Sequence, residues 1–155
     1  MADVGAGSGY FTVRLASRVG PAGRVYATDI QPEMLKMLGV RLDRERVTNV
    51  TLVQGSPDDP MLPDGAIDLI LMVDVYHELA NPQRILRGLH RALRPGGRLV
   101  LLEYRKEDPR VPIRIEHKMT VREAKLELEA EGFKLARVDD VLPRQHILVF
   151  TRDSN

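Results

Sequence analysis

At 155 residues the chain is one domain's worth, long enough to bury a single core. Its 43% hydrophobic and 29% charged content is that of an ordinary globular protein, and no apolar run approaches the roughly 18 residues of a membrane span. With no cysteine there are no disulfides, thiolate metal ligands or cysteine nucleophile, and a net charge of +1 advertises no phosphate-backbone partner.

Basic residues do gather locally, at Arg41, Arg44 and Arg46 and again at Arg84, Arg87, Arg91 and Arg94. Their spacing suits the solvated faces of amphipathic helices, so nucleic acid is not an expected partner. The opening residues form an acidic glycine loop and not a basic then apolar leader, which leads us to expect a cytoplasmic protein.

In chain order, Ala2–Val4 reads as the end of a strand. The loop Asp3-Val4-Gly5-Ala6-Gly7-Ser8-Gly9 follows, then a helix to about Arg18. Residues 24–29 have strand composition. Pro32 suits the first position of a helix in which Met34, Leu35, Leu38 and Leu42 recur at helical spacing. Val50–Gln54 is a short strand and residues 56–65, rich in Pro and Asp, a loop. Ile67–Val73 is nearly continuously apolar, as expected of a strand covered on both faces. Asn81 and Pro82 open a helix that Arg94-Pro95-Gly96-Gly97 stops, and residues 98–104 form another buried strand. Thr120-Val121-Arg122-Glu123 is a capping box, and Gly132 ends the helix it opens. Residues 133–142 and 145–151 close the chain as two strands around a Pro143-Arg144 turn.

This alternation predicts one α/β domain over residues 1–155, a doubly wound and mostly parallel sheet with helices on both faces. A two-residue connection cannot cross over, so the sheet should end in an antiparallel β-hairpin. In such sheets ligands bind outside the carboxyl ends of the strands. Gly5, Gly7 and Gly9 sit at a strand-to-helix junction, where a tight turn and exposed N–H groups can meet a ligand. Asp29 ends the next strand, where a carboxylate can accept both hydroxyls of an adenosine ribose. The dinucleotide fingerprint would need its third glycine at position 10, which is Tyr10, so a nicotinamide or flavin site is the weaker assignment.

On these residues the chain resembles the class I (seven-stranded, Rossmann-like) S-adenosylmethionine-dependent methyltransferases. Asp3-Val4-Gly5-Ala6-Gly7-Ser8-Gly9 is similar to the family's first motif, and Asp29 stands where the family has its ribose-binding acid. Gly55-Ser56-Pro57-Asp58 lies at the adenine-contacting turn, and Leu93-Arg94-Pro95-Gly96-Gly97-Arg98 at the turn into the fifth strand. Val73-Asp74-Val75-Tyr76-His77-Glu78-Leu79, His117-Lys118-Met119-Thr120 and Leu142-Pro143-Arg144-Gln145-His146 look like a bacterial subgroup of that family. The resemblance implies S-adenosyl-L-methionine as cofactor, held by Asp3, Gly5, Ala6, Gly7, Ser8, Gly9, Asp29, Ile30, Ser56, Pro57, Asp58, Val73 and Asp74. Many relatives carry an acid directly after the glycine of the adenine turn; here it is Ser56, which makes Asp58 the candidate for the adenine amino group. The family also has helices before the first strand, whereas this chain opens inside that strand. A more open site, weaker cofactor binding and a homodimer covering the short strand are therefore expected.

Methyl transfer from a sulfonium is an in-line displacement, so the enzyme mainly positions its substrates and removes a proton where there is one. The loops after the fourth and fifth strands and the last turn should open on the carboxyl edge, and three of the four histidines fall there. His77 is the candidate general base, since histidine titrates near neutrality. Tyr76 and Tyr104 are candidates to line an apolar substrate pocket, and Arg105 or Arg144 to bind an anionic one. His77, Glu78, His117 and His146 could be imagined around zinc or iron, but no tight His-x-x-x-His spacing supports it, and no metal is expected. The expected function is methylation of a small-molecule oxygen or nitrogen acceptor. The alternatives are an RNA or protein methyltransferase and a catalytically degenerate cofactor-binding module.

Overall fold

The computed structural model describes residues 1–152. In chain order the elements are β1 (Ala2–Val4), α1 (Tyr10–Val19), β2 (Val25–Asp29), α2 (Pro32–Glu45), β3 (Val50–Gln54), β4 (Ile67–Val73), α3 (Pro82–Ala92), β5 (Leu93–Arg105), β6 (Lys118–Met119), α4 (Val121–Ala130), β7 (Phe133–Asp139) and β8 (Gln145–Arg152). The sheet runs β3-β2-β1-β4-β5-β8-β7, with β6 added to the end of β5. Every pair is parallel except β5–β8 and β7–β8. The doubly wound α/β sheet with its antiparallel end is thus present.

Helices cover both faces because the strands are apolar on both. One core gathers Ile70 and Met72 of β4, Leu99 and Leu101 of β5, Leu86 and Leu89 of α3 and Leu128 of α4. The other sets Ala27 of β2 against Leu38 and Leu42 of α2, with Val13 of α1 beside them. Short β1 is fully internal: its three residues are buried, and it is paired along its length with β2 on one side and β4 on the other. The order of strands reverses between β1 and β4, so their carboxyl ends diverge into a crevice. That crevice is where the site lies.

Three expectations need correction. The last two strands are antiparallel, but residues 140–144 connect them, not Pro143-Arg144 alone. Arg105 explains the longer loop, since its guanidinium donates to the carbonyls of Asp140 (2.8 Å) and Leu142 (2.7 Å) and draws that segment off the ladder. Asn81 precedes α3 without capping it through its side chain; its amide instead donates to Asp58 Oδ1 at 2.6 Å. Leu93 already pairs with Ile67, so Arg94-Pro95-Gly96-Gly97 forms an irregularity inside β5 and not a loop before it. The capping box at Thr120 is complete, with the Glu123 N–H donating to Thr120 Oγ1 and the Thr120 N–H donating to Glu123 Oε2.

Among the described residues, six of the seven arginines singled out above, Arg46 being the exception, have an ion-pair partner within 4 Å, Arg44 sharing Glu45 with Arg41. Arg41 meets Glu45, Arg84 meets Asp58, Arg87 meets Glu131, Arg91 meets Asp59 and Arg94 meets Asp68. Their charge is locally neutralised, and they do not add up to a basic face.

Candidate active site

A cleft of about 390 Å³ opens at the crevice between β1 and β4. Its floor is the end of β1 and the glycine loop, and one wall is Thr28, Asp29, Ile30 and Met34. The turn at Gly55–Pro57 and, from the segment after β4, Val75, Glu78, Leu79 and Ala80 complete it. The glycines are dictated by this geometry. Gly5, Gly7 and Gly9 all have positive φ, which L side chains rarely adopt. A Cβ on Gly5 would fall 2.5 Å from a Val75 methyl, whereas one on Gly7 would meet nothing and project into the open space.

The loop's N–H groups are largely spoken for, contrary to the expectation of exposed donors. Those of Gly5 and Ala6 donate to the Thr28 carbonyl, that of Gly9 to the Ala6 carbonyl, and that of Gly7 to Asp29 Oδ2 at 2.9 Å. The Gln31 N–H donates to the other oxygen, Oδ1, at 2.9 Å. Asp29 is thereby fixed at the rim, and each of its oxygens keeps a lone pair for a ligand hydroxyl. Among the described residues lining the cleft there are two carboxylates, Asp29 and Glu78, and neither Lys nor Arg. The charged side chains of the lining are therefore both acidic, which favours a cationic ligand. Behind the loop, Asp3 is buried and accepts the Thr12 hydroxyl at 2.6 Å. Burial pushes its carboxyl up to about 6, against the pull of that hydrogen bond.

Beyond Asp74, a short turn at Tyr76–Glu78 separates this cleft from a second cavity of about 280 Å³. Glu78 faces the first, His77 and Tyr76 the second, and Leu79 lines both. Asp74 has a positive φ of 53°, a strained conformation for a non-glycine residue. Its carboxylate accepts the Gln145 amide on both oxygens, at 2.9 and 2.8 Å, which anchors the strained turn to β8. Burial is the main cause that raises Asp74, the Gln145 contact opposing it.

Glu103 of β5 is wholly buried and organises the turn. The Tyr76 N–H donates to its Oε1 at 2.9 Å, and its Oε2 lies 2.6 Å from His77 Nδ1. Burial raises the Glu103 carboxyl, and the His77 contact works against that rise. On the far side of the ring, His77 Nε2 is 3.3 Å from His117 Nδ1. The result is a chain Glu103–His77–His117 with Glu78 beside it. Tyr76 is buried and donates its hydroxyl to Glu127 Oε2 at 2.8 Å; burial, then that contact, pushes its ionisation far above the usual range.

Of the residues expected to hold a cofactor, Gly5, Gly7, Asp29, Ile30, Ser56 and Pro57 line the cleft. Asp3, Ala6, Ser8, Gly9, Val73 and Asp74 stand behind or beside it. Asp58 turns away, both oxygens taken by Asn81 and by Arg84, the latter at 2.5 Å. Val75, Glu78, Leu79 and Ala80 were not singled out for the cleft, although they directly follow Asp74. Thr28, Gln31, Met34 and Ile85 carried no sequence signal. Glu103 was also missed; the signal was a lone acid in an otherwise apolar strand, between Leu102 and Tyr104. Tyr104 is half-buried on β5, opposite Gln145, and lines neither cavity. His146 is buried in β8 with its Nε2 unpartnered, and desolvation lowers its affinity for a proton.

Residues 2–101 match the family described as "Methyltransferase domain". The "Ubiquinone/menaquinone biosynthesis C-methyltransferase UbiE" of Ectopseudomonas mendocina (strain ymp) is 36% identical over 105 residues, which are 67% of this chain and 41% of that protein. The protein of the same name from Shewanella oneidensis is 34% identical over 105 residues. The chain spans about two fifths of the length of these curated relatives. Among solved structures, a SAM-dependent methyltransferase from Aquifex aeolicus superposes with a TM-score of 0.91 at 29% identity, over 97% of this chain and 80% of that one. A putative type 11 methyltransferase from Sulfolobus solfataricus shares the fold with a TM-score of 0.81 at 22% identity, over 99% of this chain and 83% of that one.

Proposed function

Because the chain belongs to the methyltransferase domain family, we propose that it binds S-adenosyl-L-methionine in the β1–β4 cleft and methylates a small-molecule acceptor. The observation that carries this is the cleft's charge: two carboxylates and no basic residue, with a glycine loop whose donors are already used internally. A dinucleotide would bring phosphates to that loop; an adenosyl sulfonium brings a positive charge and none. Asp29, pinned by Gly7 and Gln31, receives the ribose hydroxyls. Exposed Ile30 and the turn at Ser56–Pro57 offer apolar surface to the adenine. When bound, S-adenosylmethionine supplies an electrophilic methyl group.

The acceptor enters from the side of the Tyr76–Glu78 turn. His77 is the residue placed to activate an acceptor hydroxyl, at Nε2 or through a group bound there, because buried Glu103 fixes its Nδ1 and orients the ring. Sequence alone suggested oxygen or nitrogen as the methylated atom. The relatives named C-methyltransferases bring carbon into range. A phenol or enol unites oxygen with carbon, since losing its proton raises electron density on the oxygen and on the conjugated carbon.

The test is methyl transfer from labelled S-adenosylmethionine to a panel of small phenols and enolisable ketones. Transfer to at least one is expected, with turnover in His77→Ala lower by about 10²-fold or more and cofactor affinity little changed. No transfer to any member, or full turnover in His77→Ala, would overturn the assignment of acceptor and residue respectively.

A further inference from the structure

We propose that His77, Glu78 and His117 form a divalent-cation site of the zinc or ferrous type on the wall between the two cavities. Three potential ligand atoms converge there. His77 Nε2 lies 3.3 Å from His117 Nδ1 and 3.7 Å from Glu78 Oε1, and the last two are 3.9 Å apart. A triangle with those sides has a circumradius of about 2.1 Å, so a single ion reaches all three at the roughly 2.0–2.2 Å of zinc–nitrogen and zinc–oxygen bonds.

The surroundings of His77 fit a ligand. Glu103 Oε2, 2.6 Å from Nδ1, is in position to accept a proton-bearing Nδ1, the tautomer in which Nε2 is free to ligate an ion. A carboxylate behind a histidine is the arrangement that orients metal-bound imidazoles and raises their basicity. Glu103 is itself held, by the Tyr76 N–H. A plain hydrogen bond between the two histidines accounts for only two of the three atoms. It leaves the Glu78 carboxylate oxygen, 3.7 and 3.9 Å from the two ring nitrogens, outside hydrogen-bond distance of either.

The donor set narrows the ion. Two imidazoles and one carboxylate recur at catalytic zinc and at non-haem iron, whereas calcium and magnesium prefer oxygen alone. Three protein ligands leave coordination positions open. Glu78 lines the cofactor cleft and His77 the second cavity, so those positions face the space between them. The ion there would hold an acceptor hydroxyl as its oxyanion, with the proton released to solvent. This goes beyond the proposed methyl transfer. Spacing along the chain argued against a metal at these residues, because His77 and His117 are 40 residues apart and meet only through two separate turns; His146, considered with them, is not part of the set.

The experiment is calorimetric titration of the tag-free chain with Zn²⁺, without cofactor or acceptor, so that its outcome is independent of activity. One ion per chain is expected. His117→Ala and Glu78→Gln, whose side chains are 46% and 62% exposed and can change without unfolding the protein, should each weaken binding by about tenfold or more. Glu103→Gln should weaken it by roughly 10–100-fold if the variant folds, and circular dichroism would check that all three do. Absence of saturable binding would overturn the proposal. So would one-to-one binding with the same affinity in both His117→Ala and Glu78→Gln, which would place the ion elsewhere.

Discussion

The β1–β4 cleft is walled largely by backbone and apolar side chains, whereas the cavity across the Tyr76–Glu78 turn is walled largely by ionisable groups drawn from distant segments. In the first, positions are set by glycines with positive φ, by carbonyls that accept the loop's N–H groups, and by one pinned carboxylate. In the second, a buried acid on β5 holds a histidine from the turn after β4, which meets another from the turn before β6. A ligand common to a family can be held by backbone geometry, which changes little with sequence. In the proposed function the acceptor and its chemistry are met by side chains.

The contrast can be broken most forcefully at Glu103. Glu103→Ala leaves the Tyr76 N–H and His77 Nδ1 buried without their acceptor and opens space in the core. A loss of about 3–5 kcal/mol in urea unfolding is expected, as for one-sided removal of a buried pair. In the cleft, Gly5→Ala and Gly7→Ala should separate stability from binding. The first forces a Cβ within 2.5 Å of Val75 at a positive φ and should cost about 2–4 kcal/mol. The second meets no atom and should cost about 1 kcal/mol, while its methyl group intrudes on the ligand's space and weakens cofactor binding.

Asp3 gives a pH-dependent version of the same comparison. Its folded value of about 6 lies above the ordinary carboxyl value of 3.8, so the native state holds this proton more tightly than the unfolded chain does. The sign follows from linkage: stability from this group is fully present below the unfolded value and is lost as pH rises through about 6. Between pH 5 and pH 7 the wild type should lose about 1 kcal/mol relative to Asp3→Asn, which lacks that titration. Smallest is Thr120→Ala, which removes the α4 cap far from either cavity. It should lower stability by about 1 kcal/mol and leave cofactor binding unchanged.

The cleft was more legible in the sequence than the polar cluster, for a physical reason. The glycine loop, Asp29 and the Thr120 capping box are local: the residues that create each feature are neighbours in the chain. The same holds for β3 and β4, whose bounds follow from short apolar runs between turn residues. Where a distant side chain intervenes, local reasoning fails. Arg105 pulls residues 140–142 out of the last hairpin, and Asp58 accepts from the Asn81 amide, holding that side chain where its oxygen does not cap α3. Glu103 and His77 are 26 residues apart, and nothing in their spacing shows that β4 and β5 lie side by side with those two ends together.

In the proposed function the β1–β4 cleft selects an adenosyl cation through its carboxylates. Parallel titrations of the wild type and of Asp29→Ala with S-adenosylmethionine and with NAD test that most directly. One S-adenosylmethionine per chain should bind, NAD should not, and Asp29→Ala should weaken the cofactor by about tenfold or more, the loss expected for charge-assisted hydrogen bonds. Binding of NAD as tightly as S-adenosylmethionine, or an affinity indifferent to Asp29, would contradict it.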